Sequence, residues 1–486
     1  MTRKCSQLWQ NLINIFSFTS LVAAMARRDV NYGFTLGIVV VILILWTTIA
    51  SDLRNRVSFW MSSSSKFPDF SHYENFTHTL SNEQFPTNDK DRRIIVIGDL
   101  HGMNKSLTAL LNRISYDTHK DILIHLGDLT TKGPVEDSLA VLSFMESNKI
   151  LGVRGNKDQE VLEWRAWMDW IVSQPGGREW LKEVDKHWSD YELALEKGDM
   201  SAFDLWPSLM KKKGWGNKVP KGWKPLGDHY QVARAMSRSQ YNYLRSLPLV
   251  LYAPSGHAFF VHAGLLAADP SRRPTHLKQP LSHWPSIKQR KHDIPAIRKA
   301  QELALLSEIP QNQDPWVVQN MRSVRRNGKP TRSSDEGIPF SDLWNQIMNK
   351  CSGFHTFDTR FSSVTRLTGY QGSQLAHLPC YPSTVVYGHA AGRGLDVKRW
   401  SVGLDTGCVY GRRLSALVLD VRSFSSGASE DHTLDFPSEA TGRFHAEPLF
   451  PGAATHHTFD FLPSATDSRI KFDHAGEARI ISVECH

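Results

Sequence analysis

Five short apolar runs in this chain each end in a residue able to hold a metal ion, and their order constrains the fold more than any other feature. Ile94-Ile95-Val96-Ile97 runs into Gly98-Asp99-Leu100-His101-Gly102, and Ile122-Leu123-Ile124-His125-Leu126 into Gly127-Asp128. Ile150-Leu151-Gly152-Val153-Arg154 leads to Gly155-Asn156, Phe259-Phe260-Val261 to His262-Ala263-Gly264, and Val385-Val386-Tyr387 to Gly388-His389. Short β-branched runs separated by helical or mixed stretches read as buried strands of an α/β fold, here an α+β sandwich. Donors just past the strand ends would converge on one sheet edge, where open sheets carry their sites. The candidate ligands Asp99, His101, Asp128, Asn156, His262 and His389 offer only oxygen and nitrogen. Such a set suits a catalytic pair of divalent ions and argues against a thiolate-rich structural zinc site.

The order D-x-H, D, N, H, H resembles that of the calcineurin-like metallophosphoesterases of the phosphoprotein-phosphatase superfamily, over roughly Arg92 to Asp420. The resemblance implies a two-sheet core and two divalent metal ions, of zinc, manganese, cobalt, iron or magnesium. Asp99, His101 and Asp128 would hold the first ion. Asp128 would bridge to the second, completed by Asn156, His262 and His389. Paired ions bind phosphate oxygens on either side of an in-line attack by a bridging hydroxide, so no covalent phospho-enzyme is needed.

Two departures narrow the resemblance. The segment Gly127-Asp128-Leu129-Thr130-Thr131-Lys132-Gly133-Pro134 carries lysine where the family pattern has arginine. Gly155-Asn156-Lys157-Asp158 carries lysine where the family assigns a proton-donating histidine. Together with Gly403-Leu404-Asp405-Thr406-Gly407-Cys408-Val409-Tyr410-Gly411, these segments are similar to the ApaH-like branch and its membrane-anchored fungal vacuolar endopolyphosphatases. Serine alkoxide needs a proton on leaving, whereas a phosphate chain leaves as a stable anion and needs charge neutralisation. A lysine supplies fixed charge better than it supplies a proton. Lys157 and Lys132 therefore favour phosphoanhydride cleavage, with inorganic polyphosphate the expected substrate. Lys157, Asp158 and Lys132 are the candidate catalytic residues, and Lys132, Arg154 and Arg322 the candidate phosphate contacts. A protein serine/threonine phosphatase, a dinucleoside-polyphosphate or RNA-cap hydrolase, and an idle polyphosphate-binding membrane protein are the rivals. Asp405 either orients a metal-bound histidine or caps a turn between strands.

Phe34 to Ala50 is 17 uncharged, mainly apolar residues, at the short end of what a spanning helix needs. It has no small-x-small cleavage site close behind it and reads as a single-pass type II anchor. Residues 1–33 would then be cytosolic, 51–91 a flexible stalk, and the catalytic domain would face a vacuole-type lumen. Leu12 to Ala26 is shorter and reads as an interfacial segment or a second span. The sequon Asn75-Phe76-Thr77 suits a lumenal side. The phosphoesterase domain is expected over 92–420, with insertions near 160–250 and 267–345. The first insertion contains Trp164, Trp167, Trp170, Trp180 and Trp188, whose spacing reads as core packing. Residues 421–476 are polar and read as a flexible loop; 477–486 alternate like a strand that returns to the sheet edge.

From Lys211 to Arg332 there are 22 Lys or Arg against 6 Asp or Glu, a net +16 in a chain of net +8. This block, which includes Lys288, Arg290, Lys291, Arg298 and Lys299, reads as a guide for a polyanion rather than a specific nucleic-acid surface. Of the 5 cysteines, Cys351 and Cys380 are a candidate pair in an oxidising lumen. Cys408 reads as a small buried apolar residue in a strand.

Overall fold

The computed structural model describes residues 67–196, 212–285, 293–354, 377–424 and 467–485. The chain divides into Met1–Pro68 and Asp69–His486, and the fold below is that of the second unit. Its strands, in chain order, are β1 (Thr77–Thr79), β2 (Ile94–Ile97), β3 (Ile122–His125), β4 (Leu151–Gly152), β5 (Val250–Ala253), β6 (Ala258–Val261), β7 (Ser323–Val324), β8 (Pro330–Thr331), β9 (Ile338–Pro339), β10 (Thr384–Tyr387), β11 (Asp396–Lys398), β12 (Ser401–Gly403), β13 (Arg413–Leu419), β14 (Asp467–Phe472) and β15 (Gly476–Glu484). The α-helices are α1 (Asn104–Ile114), α2 (Val135–Ser147), α3 (Asn156–Ser173), α4 (Gly177–Glu196), α5 (Asp228–Ala235), α6 (Arg238–Ser246), α7 (Ile294–Glu308), α8 (Pro315–Asn320) and α9 (Phe340–Met348).

Two six-stranded sheets form, in the orders β1-β5-β6-β10-β12-β11 and β14-β15-β13-β2-β3-β4, beside a small three-stranded sheet β8-β7-β9. Strands β2, β3 and β4 run parallel, as do β6, β10 and β12. Side chains alternate between faces along a strand, and both faces of each large sheet are covered. This is why the runs are continuously apolar. Ile94, Val96 and Ile124 share the inner core with Phe260, Val386 and Val402. Ile95 and Ile97 turn outward beneath α1 and α2, while Val385 and Tyr387 turn outward beneath α7 and α9. Each such side chain contributes about 1.5–3 kcal/mol through burial.

The tryptophan-rich insertion is core, as its spacing predicts. Trp164 and Trp167 of α3 meet edge-to-face at 5.1 Å, and Trp180 stacks on Trp215 at 5.2 Å. The indole N–H of Trp167 donates to the Lys218 carbonyl at 2.7 Å. Tyr230 packs on Trp164, which seats α5 against α3.

Several sequence-based boundaries are corrected. The expected stalk of 51–91 joins the body before its end: β1 pairs with β5, and Leu80 and Phe85 are buried. The expected loop of 421–476 contains β14, and Phe424 packs on Phe472 at 5.9 Å. The terminal strand β15 lies between β13 and β14, so it is interior rather than an edge. In each case a few buried aromatics or aliphatics outweigh a polar average composition. Phe34–Ala50 and Leu12–Ala26 lie outside the described residues, and among the described residues no helix is long and apolar enough to cross a membrane.

Cys351 pairs with Cys380 as expected. Cys408 is corrected: it is buried, but in a short helical turn, and it is bonded to Cys485, 77 residues away. That bond ties the Gly403–Gly411 segment to the end of β15. Closing a loop of this length stabilises a fold by about 2–4 kcal/mol. Thiol titration of the denatured, unreduced protein should therefore find one reactive cysteine of the 5. Dithiothreitol should lower the melting temperature of the wild type but not of a Cys351→Ser/Cys408→Ser double variant. Five titratable thiols in protein purified without reductant would refute both bonds.

Candidate metal centre

The ends of the parallel strands bring all six predicted ligands together. Asp99 and His101 follow β2, Asp128 follows β3, Asn156 opens α3 after β4, His262 follows β6 and His389 follows β10. The ligand atoms of Asp99, His101 and Asp128 lie within 4.8 Å of one another, as do those of Asp128, His262 and His389. Asp128 belongs to both groups, the bridging place the sequence assigns to it. Asn156 Oδ1 stands 3.1 Å from Nε2 of His262.

Backbone geometry makes this convergence possible. His101, Asp128 and His389 have φ of 49°, 48° and 66°, a left-handed conformation that costs a non-glycine residue about 1–2 kcal/mol. Strain of this kind collects at functional sites. Two glycines let the loops touch. A Cβ on Gly155 would lie 2.2 Å from both the backbone nitrogen and Oδ1 of Asp128, and one on Gly388 would lie 2.1 Å from Oδ1 of Asp99.

The histidines are oriented by carbonyls. Nδ1 of His262 lies 2.8 Å from the Leu126 carbonyl and therefore carries the proton. Its Nε2 lone pair then faces Asn156 Oδ1 at 3.1 Å and Asp128 Oδ1 at 3.4 Å. A cation between them would be coordinated by all three. Nδ1 of His101 faces the Thr130 carbonyl at 3.3 Å, leaving Nε2 3.5 Å from Asp128 Oδ2. Here the ammonium of Lys132, 3.0 Å from Nε2, stands in for a divalent ion. Nε2 of His389 faces the Asn320 carbonyl at 3.2 Å, so Nδ1 is its free nitrogen.

The charges agree. Burial, followed by the charges of Asp405 and Asp128, pushes the Asp99 carboxyl well above its ordinary range, although the His389 N–H opposes the shift. Burial would also raise Asp128, but His262, His101 and His389 together hold it low. Burial lowers His101, and burial with His262 and Arg322 lowers His389 further. Buried carboxyl and imidazole groups around one point form a donor set that two divalent ions fit.

The other predicted residues divide. Lys132 lies at the rim, its ammonium also donating to the Tyr410 hydroxyl at 3.2 Å. Lys157 donates its backbone N–H to Asp128 Oδ1, and its ammonium pairs with Glu160, each at 2.8 Å. Asp158 is corrected from a catalytic to a positioning role. It is buried and accepts from the backbone N–H groups of Leu129 at 3.0 Å and Gly155 at 3.1 Å, locking the Asp128 loop to α3. Burial and then the charge of Asp128 raise it to about 7. Arg154 is no phosphate contact, being fully buried and donating to the carbonyls of His72, Arg245 and Leu247. Arg322 borders the site, yet it donates to the carbonyls of Arg332 at 2.8 Å and His389 at 2.9 Å, so it first braces a ligand loop. Asp405 accepts from the Gly407 N–H at 3.1 Å and caps its turn, the second of its two readings.

Among the described residues, three arginines of the basic block are turned to partners within the fold. Arg298 is inward, donating to the Pro382 carbonyl at 2.7 Å, while Arg245 pairs with Glu74 and Arg325 with Glu336 at 2.6 Å. Lys288, Arg290 and Lys291 lie outside the described residues. The sequence reading missed Glu160, Asp228, His229 and Tyr410, which surround the two lysines. Tyr410 lay in a segment already singled out, whereas Asp228 and His229 carry no local signal.

Replacing Asp128 by asparagine should abolish nearly all turnover and lower bound metal, measured by elemental analysis. Gly155→Ala should cost about 100-fold in kcat/KM through displacement of Asp128, with the fold retained. Unchanged turnover in metal-stripped protein would sink the assignment.

A family model described as calcineurin-like phosphoesterase matches residues 92–336, just over half the chain. Serine/threonine-protein phosphatase 1 of Salmonella typhimurium is 34% identical over 93 residues, 19% of this chain and 42% of that protein. The symmetrical bis(5'-nucleosyl)-tetraphosphatase of Proteus mirabilis is 42% identical over 69 residues, 14% of this chain and 24% of its own length. The chain thus spans less than half of either relative. A solved structure of a proposed diadenosine tetraphosphatase is 21% identical, covering 71% of this chain and 94% of that one at a TM-score of 0.36. With the family match over the strands that carry Asp99, His101, Asp128, Asn156 and His262, the chain belongs to the calcineurin-like phosphoesterase family.

Proposed function

We propose that this chain is a di-metal-dependent hydrolase of phosphoanhydride bonds, with inorganic polyphosphate as substrate. Bound in the two donor groups, divalent ions supply a water nucleophile at neutral pH and neutralise charge on phosphoryl oxygens. Against Asp99 and Asp128 they leave an excess of about two positive charges, suited to a polyanion. The observation that carries the reading is the pair of ammonium groups at the rim. Lys132 lies against His101, and Lys157 stands directly after the ligand Asn156, where the family assigns its proton-donating histidine. Lys132 and Lys157 bind and neutralise departing phosphate oxygens. Arg322 holds His389 in place, and Asp158 fixes Asp128.

A second reading is favoured by Tyr410. Tyr410 is 59% exposed, and its aromatic ring lies 5.3 Å from the Lys132 ammonium and 5.9 Å from the Arg412 guanidinium. Hydrolysis of dinucleoside polyphosphates would use this platform, and serine/threonine phosphatase activity would not.

The purified chain should be assayed on polyphosphate, diadenosine tetraphosphate and a phosphopeptide across zinc, manganese, cobalt, iron and magnesium. Polyphosphate cleavage is expected to dominate and to fall more steeply with salt than cleavage of a small substrate, because screening acts beyond about 8–10 Å. Lys157→His should shift preference toward phosphomonoesters. Tyr410→Ala should weaken only the dinucleoside substrate, by about 5- to 150-fold. Faster phosphopeptide turnover with equal salt dependence would make the protein-phosphatase reading the better one.

The same proposal places the catalytic unit in a vacuole-type lumen, anchored by Phe34–Ala50. Two disulfides support an oxidising compartment, and Asn75 is exposed immediately before β1. In sealed vesicles the unit should resist added protease and Asn75 should carry glycan. Complete digestion without detergent would put it in the cytosol.

A further inference from the structure

We infer that His229, carried on α5 of the tryptophan-packed insertion, is a positioning residue for both rim lysines. Through Asp228 it holds the Lys132 loop, through Glu160 it holds the Lys157 ammonium, and its positive charge sets the grip of the site on polyanionic phosphate. The inference rests on the reading that these lysines meet substrate phosphate.

Four contacts form a chain. The Lys132 backbone N–H donates to Asp228 Oδ2 at 2.8 Å. Asp228 Oδ1 lies 2.9 Å from His229 Nδ1, and His229 Nε2 lies 2.9 Å from Glu160 Oε2. The other oxygen of Glu160 meets the Lys157 ammonium at 2.8 Å. A carboxylate oxygen lies 2.9 Å from each ring nitrogen, and although Nε2 is not aligned for a hydrogen bond, both carboxylates favour the positively charged imidazolium.

The geometry shows what the chain accomplishes. Thr131 and Lys132 are consecutive non-glycine residues at φ 71° and 63°, a conformation that residues with a Cβ resist. Asp228 fixes the second of them by its backbone, so the direction of the Lys132 side chain depends on α5. Glu160 would otherwise cancel the Lys157 charge. With His229 protonated, Lys132, Lys157 and His229 oppose Asp228 and Glu160, leaving one net positive charge. With His229 neutral, that excess is gone.

The largest charge effects on His229 come from Asp228 on its own helix and Glu160 on α3, with Lys157 facing it across Glu160 and Lys132 bound to Asp228 through its backbone. Burial lowers its pKa, but hydrogen bonding and attraction to Asp228 and Glu160 outweigh burial and raise it from 6.5 to about 9. With its pKa raised, His229 stays protonated in the folded chain through neutral pH, and the clamp is lost as pH rises through about 9.

The test uses the full chain loaded with metal, with polyphosphate as substrate. His229→Gln should raise KM about five- to tenfold near neutral pH, the effect of one unit charge a few ångströms away. Its kcat and metal content should stay near wild type, and the rise in KM that wild type shows near pH 9 should be absent. Glu160→Gln, at a half-exposed position, should move that rise to lower pH, which keeps the inference open to test if His229→Gln fails to fold. Parallel loss of metal and kcat in His229→Gln would mean a purely structural role. An identical pH profile in wild type and either variant would refute the clamp. Lys157→Ala separates the two levels. If it leaves KM unchanged, the lysine reading itself fails; if it raises KM while His229→Gln does not, the clamp alone fails.

Discussion

The structure turns on one buried carboxylate, Asp128, placed where two sheets meet. It is within reach of His101 on one side and of His262 and His389 on the other, so strands from both sheets must arrive at the same point. The inner core makes that meeting rigid. Ile124, Phe260 and Val386 pack between the sheets, and interiors packed at crystal-like density do not slide by fractions of an ångström. Around Asp128 the loops then approach closely enough that glycine is required at 155 and 388. The left-handed backbones of His101, Asp128 and His389 follow from the same crowding. Strain at the site is supported by packing away from it.

Buried carboxylates that repel one another gain from a cation, and this centre is built around that need. Burial and two neighbouring acids disfavour the ionised form of Asp99, which a cation would stabilise. The lysine ammonium at His101 responds to the same field from outside. One field can therefore serve both metal affinity and affinity for phosphate.

Much of the centre was legible because its logic is local. Apolar run, glycine and donor lie within a few residues of one another, and the six ligands need no knowledge of the tertiary fold beyond strand direction. Arg154 and Asp158 were misread for the opposite reason. Each lies two residues from Asn156, but burial turns each onto backbone partners that a sequence does not display. The pairing of Cys408 with Cys485 depends on β15 returning beside β13, a contact across most of a domain's worth of chain. Strands β1 and β14 are short and polar on their outer faces, so periodicity could not separate them from the surrounding polar sequence. The tryptophans were legible as core, but what that core is for was not.

Its position suggests the answer. Trp164, Trp167 and Tyr230 bury the contact between α3 and α5, and α3 begins at the ligand Asn156. A helix inserted far from the ligand motifs in sequence is thereby fixed to the element that opens the metal site. Asp228 and His229 sit at the first turn of α5 and reach the Lys132 loop and Glu160. An insertion held so firmly can add charged groups to a site without disturbing its ligands. The strand ends set the six candidate donors, and the packed insertion sets the charged groups that border the Lys132 loop and Glu160.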